Sequence, residues 1–177
     1  MSENLKEGAV IWLTGLAGSG KSFLAQKLCE SLRKEYSNVI YLDGDELREL
    51  LGHFGYDKKG RLEVSFKRAK FAKFLSEQGA LVVVSAISMF NEVYKFNREN
   101  LKNYFEVYVK CDFEELKRRD KKTLYSRALK KELENVVGVD IKYDEPKSDF
   151  IIDNSDFKDT QSKLESLLKS IKEQLNI

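Results

Sequence analysis

An α/β sandwich, with a mostly parallel sheet of about five strands and helices on both faces, is the fold class the sequence predicts, on three observations. Short apolar runs rich in strand formers recur along the chain, separated by segments whose apolar residues keep helical spacing. One run, Leu81-Val82-Val83-Val84-Ser85-Ala86, is apolar nearly throughout, as a central parallel strand covered on both faces requires. Another, Ala9 to Thr14, runs into a glycine-rich loop that opens a helix.

Taken in order, Ala9 to Thr14 is the first strand, and Lys21 to Arg33 is a helix with Phe23, Leu24, Leu28 and Leu32 at helical spacing. Val39 to Leu42 is a second strand, stopped by Asp43-Gly44-Asp45, and Glu46 to Leu51 is a short helix. A long helix from about Arg61 to Gln78 carries Phe66, Ala69, Phe71, Ala72 and Leu75 as its apolar stripe. Leu81 to Ala86, Phe105 to Val109 and Phe150 to Ile152 complete the strands. Leu164, Leu167, Leu168, Ile171 and Leu175 form the stripe of a last helix that packs on the sheet.

The 177 residues suit one domain, 1–177, and 42% hydrophobic with 34% charged residues describes a globular chain with a well-solvated surface. A formal net charge of +2 provides no long-range field for nucleic acid or a membrane surface as the main partner. The polar stretch Met1 to Gly8 and the lack of an apolar run of roughly 18 residues predict a cytoplasmic protein without a membrane span. Cys29 and Cys111 have no metal-like spacing and are expected as reduced thiols.

The glycine-rich loop reads Gly15-Leu16-Ala17-Gly18-Ser19-Gly20-Lys21-Ser22, a phosphate-binding pattern of the P-loop NTPase type. Its backbone N–H groups must wrap anionic phosphates while the chain takes conformations closed to most side chains, hence the glycines. Lys21 is expected to reach the β and γ phosphates of ATP and the Ser22 hydroxyl to ligate Mg²⁺. No N-K-x-D segment for reading guanine is present, which counts against a GTPase. Asp43 and Asp45 fall at the C-terminal edge of the sheet, where α/β proteins place ligands. The charge-dense run from Lys117 to Lys131 sits where a mobile lid over the nucleotide is expected, around 117–135.

These residues belong to a longer series: WLTGLAGSGKS, YLDGDELR, Arg61 opening a long helix, SAIS at Ser85 to Ser88, FEVYV, the RD-x-K-x-LY pattern of Arg119 to Tyr125, and VGVD before Y-D-E-P. From about Val10 to Asn154 it resembles the adenylyl-sulfate kinase family, which transfers the γ-phosphate of ATP to the ribose 3′-hydroxyl of adenylyl sulfate. The resemblance implies that Gly15, Ala17, Gly18, Ser19, Gly20, Lys21, Ser22 and Arg119 bind ATP. It implies that Asp45 orients or deprotonates the 3′-hydroxyl, with Lys21 as the second catalytic residue. Asp43 is implied as a carboxylate partner of Mg²⁺, beside Ser22, that also borders the acceptor. Arg48 and Arg61 would clamp the acceptor's 5′ phosphate-containing group, a task suited to paired guanidinium hydrogen bonds. Tyr56, Ile87, Ser88, Lys122 and Val136 complete the implied acceptor site, and a homodimer is the implied assembly.

The chain departs from that pattern on the acceptor side. The asparagine after the acceptor arginine is Val64, the proline after Ile-Ser is Met89, the lid glycine is Thr123, and the phenylalanine that stacks on the acceptor adenine is Val136. An altered base and 5′ substituent are therefore expected. The pocket resembles that of the kinases of capsule phosphoramidate synthesis, which phosphorylate cytidine diphosphoramidate, with adenylyl sulfate as the alternative acceptor. A non-catalytic nucleotide-binding module remains the alternative of another class.

Overall fold

The computed structural model describes residues 7–52, 54–120, 123–156 and 158–177. Strands β1 (Ala9–Thr14), β2 (Val39–Asp43), β3 (Leu81–Ala86), β4 (Tyr104–Lys110) and β5 (Phe150–Asp153) form one sheet in the order β2-β3-β1-β4-β5, every neighbouring pair parallel. The connecting helices are α1 (Lys21–Leu32), α2 (Gly44–Leu51), α3 (Lys58–Glu77), α4 (Asn91–Asn100), α5 (Phe113–Arg119), α6 (Leu124–Leu129) and α7 (Thr160–Leu175). The predicted α/β class with helices on both faces is what the chain adopts.

The alternation of side chains along a strand builds two cores. Ile11 and Leu13 of β1 face Leu24, Leu28 and Leu32 of α1 and Leu164, Leu167 and Ile171 of α7. Val10 and Trp12 face the opposite layer, where Ala69 and Ala72 of α3 join Phe90, Val93, Leu116 and Tyr125. Two residues assigned to apolar stripes lie elsewhere: Phe23 is 50% exposed and Phe71 37% exposed. Each is one residue away from a buried position, about 100° around its helix, so the stripe narrows to its neighbours.

The parallel register brings three strand ends to one edge. Asp43 pairs with Ser85, Leu13 with Ser85 and Thr14 with Ala86. The glycine-rich loop, the Asp43-Gly44-Asp45 turn and the Ser85 to Ser88 segment thus leave the sheet side by side. They do so where the chain crosses from the β2-β3 side of β1 to the β4 side, the switch point at which α/β sheets form their crevice.

Local chemistry starts the two helices that follow β2. The Asp43 carboxylate accepts from the backbone N–H of Asp45 at 2.9 Å and of Glu46 at 3.5 Å, capping α2. Asp57 caps α3 through the Gly60 N–H at 3.0 Å, so this helix begins at Lys58, one turn earlier than its apolar stripe suggests. Among the described residues no helix is long and apolar enough to cross a membrane.

Candidate active site

The loop from Gly15 to Ser22 joins β1 to α1 and places two of its glycines in the left-handed region, Gly18 at φ 78° and Gly20 at φ 92°. Gly20 is also the N-cap of α1, so the turn that aims the helix N-terminus at the crevice depends on it. Gly15 serves close approach instead: a Cβ there would stand 2.5 Å from the Val109 carbonyl oxygen and 2.8 Å from Ser19 Oγ. The Lys21 ammonium donates to the Leu16 carbonyl at 3.3 Å, folding the side chain back over the loop.

A crevice of about 1050 Å³ opens in front of this loop. That lies at the upper end of the roughly 300–1,000 Å³ usual for ligand pockets. Ala17, Gly18, Gly20, Lys21 and Ser22 line one side; Asp43, Asp45 and Arg48 line the turn and helix after β2; Tyr56 and Arg61 line the start of α3. Ile87, Arg119 and Val136 close the remaining walls. The structure thus brings together most of the site residues read from the sequence.

Three of them stand away from the lining. Ser19 is fully buried, and its Oγ has no hydrogen-bond partner, so only its backbone shapes the loop. Gly15 lies beneath the loop, against Val109 and Ser19. Ser88 is fully buried, with its Oγ 3.1 Å from Ser65 Oγ of α3, and its hydroxyl links strand edge to helix rather than facing the crevice. Lys122 lies outside the described residues.

Asp43 is the most heavily bonded carboxylate in the site. Tyr41 donates to it at 2.9 Å and Ser85 at 3.3 Å, and the two hydroxyls are 2.7 Å from each other. Burial pushes its pKa up, but the N–H groups of Asp45 and Glu46 and the two hydroxyls outweigh that and hold it below the usual carboxylate range. The same burial raises the Tyr41 phenol, which therefore stays protonated as a donor, and the Ser22 hydroxyl acts on that phenol too. Ser22 and Asp43 both line the crevice. One hydroxyl and one ionised carboxylate beside a phosphate loop fit Mg²⁺, which binds through few protein oxygens together with phosphates and water.

Arg48 and Arg61 converge on Tyr56. The Arg48 guanidinium lies 4.3 Å from the ring centroid and donates to the Gly55 carbonyl at 2.6 Å; the Arg61 guanidinium lies 5.6 Å from the same centroid and donates to the Tyr56 carbonyl at 2.6 Å. Tyr56 is 61% exposed, so the pair presents cations and an aromatic face together. Arg61 also donates to the Asn135 carbonyl at 2.7 Å. Burial and the nearby Arg48 both push its pKa down. The Asp140 carboxylate of the VGVD segment accepts from the N–H groups of Asn135 at 2.5 Å and Val136 at 2.6 Å, which fixes Val136 at the wall.

Contacts from segments remote in sequence complete the site. Arg119 is tied to the loop's outer side by a bond to the Gly18 carbonyl at 3.2 Å, and also to the Asn154 carbonyl at 2.7 Å and Glu115 at 2.8 Å. Asn154 donates to the Ser19 carbonyl at 2.7 Å, and the Tyr125 hydroxyl to the Ala17 carbonyl at 2.8 Å. Phe23 and Arg68 also line the crevice. A conspicuous aromatic in the first turn after the phosphate loop was the available signal for Phe23; Arg68 had none in its lysine-rich surroundings. Cys29 is buried, and burial pushes its thiol up to about 11, which makes it an inert core residue.

A phosphate loop facing a carboxylate-bearing turn across a deep crevice, on an all-parallel sheet, is the site of a P-loop kinase. The sequence profile of the family described as Adenylylsulphate kinase matches residues 7–153. The chain is 56% identical over 162 residues to the cytidine diphosphoramidate kinase of Campylobacter jejuni, covering 92% of this chain and 95% of that protein. It is 34% identical over 175 residues to a probable adenylyl-sulfate kinase of Aeropyrum pernix, covering 94% and 96%. Among solved structures, the Mycobacterium tuberculosis APS kinase in complex with AMPPNP and APS superposes with a TM-score of 0.85 at 29% identity, covering 94% of this chain and 98% of that one. The chain belongs to the adenylyl-sulfate kinase family, and it is a kinase.

Proposed function

We propose that this kinase transfers the γ-phosphoryl group of ATP to the ribose 3′-hydroxyl of cytidine diphosphoramidate, as a step in capsule biosynthesis. The observation that carries the reading is the 56% identity to the Campylobacter jejuni kinase, over nearly the full length of both chains. The site agrees with it. Val136 stands at the crevice wall where the family resemblance implies a stacking phenylalanine, and a smaller base needs less aromatic surface there.

In this reading 1–177 is a single kinase domain, and the loop from Gly15 to Ser22 holds the ATP phosphates on its N–H groups and Lys21. Ser22, with Asp43 beyond it, holds Mg²⁺, which would offset charge on the phosphates when bound. Asp45 orients the 3′-hydroxyl and takes its proton, and Arg48, Arg61 and Tyr56 grip the acceptor's 5′ group and position it in line. Arg119 and Lys122 contribute positive charge from the segment around 117–135, which acts as the lid. The resemblance to the family supports a cytoplasmic homodimer as the working form.

One assay tests the reading: MgATP with cytidine diphosphoramidate, adenylyl sulfate, CDP and ADP, following ADP release and the mass of the product. Cytidine diphosphoramidate should be the preferred acceptor by at least about tenfold in kcat/KM, roughly the worth of one good recognition contact. Preference for adenylyl sulfate would overturn the choice of acceptor, and acceptor-independent behaviour would overturn the transferase.

A further inference from the structure

The acceptor wall of α3 contains a buried charge that the roles above leave unused. Arg61, Val64 and Arg68 succeed one another at three- and four-residue spacing, and all three line the crevice. Arg68 is 3% exposed. Its guanidinium has five N–H donors, and its one hydrogen bond among the described residues goes from Nη2 to the Gly44 carbonyl at 2.8 Å. Nε is buried without a hydrogen-bond partner, and Asp45 and Asp43 act on the group only as nearby charges. Burial and Arg48 push its pKa down, against Asp45 and Asp43, to about 10, so it stays charged at neutral pH.

A buried cation on one neutral carbonyl is an expensive arrangement, and a bond to Gly44 alone would be met as well by a neutral amide. The cost is offset if an anion from a ligand completes the set. Asp43 and Asp45 stand near enough to act on the charge while making no bond to it, and Arg48 and Arg61, on the same side of the crevice, spend donors on the carbonyls of 54–56 and 135. Of the three guanidiniums Arg68 is the most deeply buried, and most of its donors are unspent.

We infer that Arg68 is a third guanidinium of the acceptor site, one that binds the anionic oxygens of the outermost group on the acceptor's 5′ phosphate chain and so selects acceptors that carry such a group. The inference rests on the transferase reading given above and adds the residue that senses the length and charge of the 5′ chain. Arg48 and Arg61 hold the inner phosphate from the mouth of the crevice, and Arg68 meets the terminal group from its floor.

The test compares wild type with Arg68→Met and Arg68→Lys, using KM for cytidine diphosphoramidate, Ki for CMP, which lacks the terminal group, and KM for ATP. Arg68→Met should raise the acceptor KM about 30- to 100-fold, as loss of a charged hydrogen-bonding group predicts, and leave the CMP Ki and ATP KM within about threefold. Arg68→Lys, which keeps the charge without the fork, should raise it about tenfold. Equal losses for CMP and the full acceptor, or an unchanged acceptor KM, would overturn the inference and reduce Arg68 to a brace for the Gly44 turn. Should Arg68→Met fail to fold, the lysine variant decides by the same comparison. If wild type prefers adenylyl sulfate, AMP replaces CMP and the arginine is still judged; if wild type uses neither acceptor, the transferase reading falls first, visibly, and the inference falls with it.

Discussion

The Tyr125 hydroxyl of α6 donates to the Ala17 carbonyl of the phosphate loop at 2.8 Å, across 108 residues of sequence. Tyr125 is 1% exposed, and its ring meets Phe113 edge-on at 5.4 Å, so the hydroxyl is held where it is. The segment expected as a lid is therefore anchored to the loop it would cover. Tyr125→Phe keeps the packing and removes one hydrogen bond, so the ATP KM should rise about three- to tenfold with little change in acceptor KM. Steady-state kinetics in both substrates would check this; an ATP KM equal to wild type would separate α6 from the loop.

Asp45→Asn should leave ATP affinity within about threefold while kcat falls at least about 100-fold, the usual scale of a lost general base. Lys21→Ala should damage both. Calorimetric titration with a non-hydrolysable ATP analogue, paired with single-turnover rates, separates the two outcomes. Turnover near the wild-type rate would remove Asp45 from the chemistry.

Asp43 makes a prediction in pH. Its folded-state pKa is depressed below that of the unfolded chain, so the stability it provides is present above the unfolded value, about 3.9, and is lost as pH falls through the folded one. The stability gap between wild type and Asp43→Asn should thus be constant from neutral pH down to that range and narrow below it. Urea unfolding at a series of pH values measures the gap; narrowing that starts near neutral pH would contradict the depressed value.

Val136→Phe places an aromatic ring at the wall that Asp140 holds in position. It should shift the kcat/KM ratio towards adenylyl sulfate and away from the cytidine acceptor by about 5- to 100-fold, the worth of one base stack. Val136 is 3% exposed, so a fall in Tm is expected alongside. An unchanged ratio would remove this position from base selection.

The sheet and loop were legible because their physics is local. Buried parallel strands demand apolar runs, and a phosphate cradle demands glycine at Gly18 and Gly20, whose left-handed backbone almost no other residue adopts at low cost. Asp43 and Asp45 were legible because a strand end followed by an Asp-Gly turn has few places to go. The rest depended on contacts remote in sequence. Asn154 reaches the Ser19 carbonyl across 135 residues. Arg68 sits among lysines that look like a solvated helix face, and only the packing of α3 under Gly44 buries it. Ser88 looked like a site residue, and the approach of Ser65 turned its hydroxyl inward.

Phosphoryl transfer to a ribose 3′-hydroxyl, in the crevice between Lys21 and Asp45, is tested most directly by acceptor-dependent ADP release with cytidine diphosphoramidate and with its 3′-deoxy analogue. The account predicts rapid release with the first, a product heavier by one phosphate, and with the second no release above the ATP-only background. Equal release from both acceptors, or from ATP alone, would contradict it.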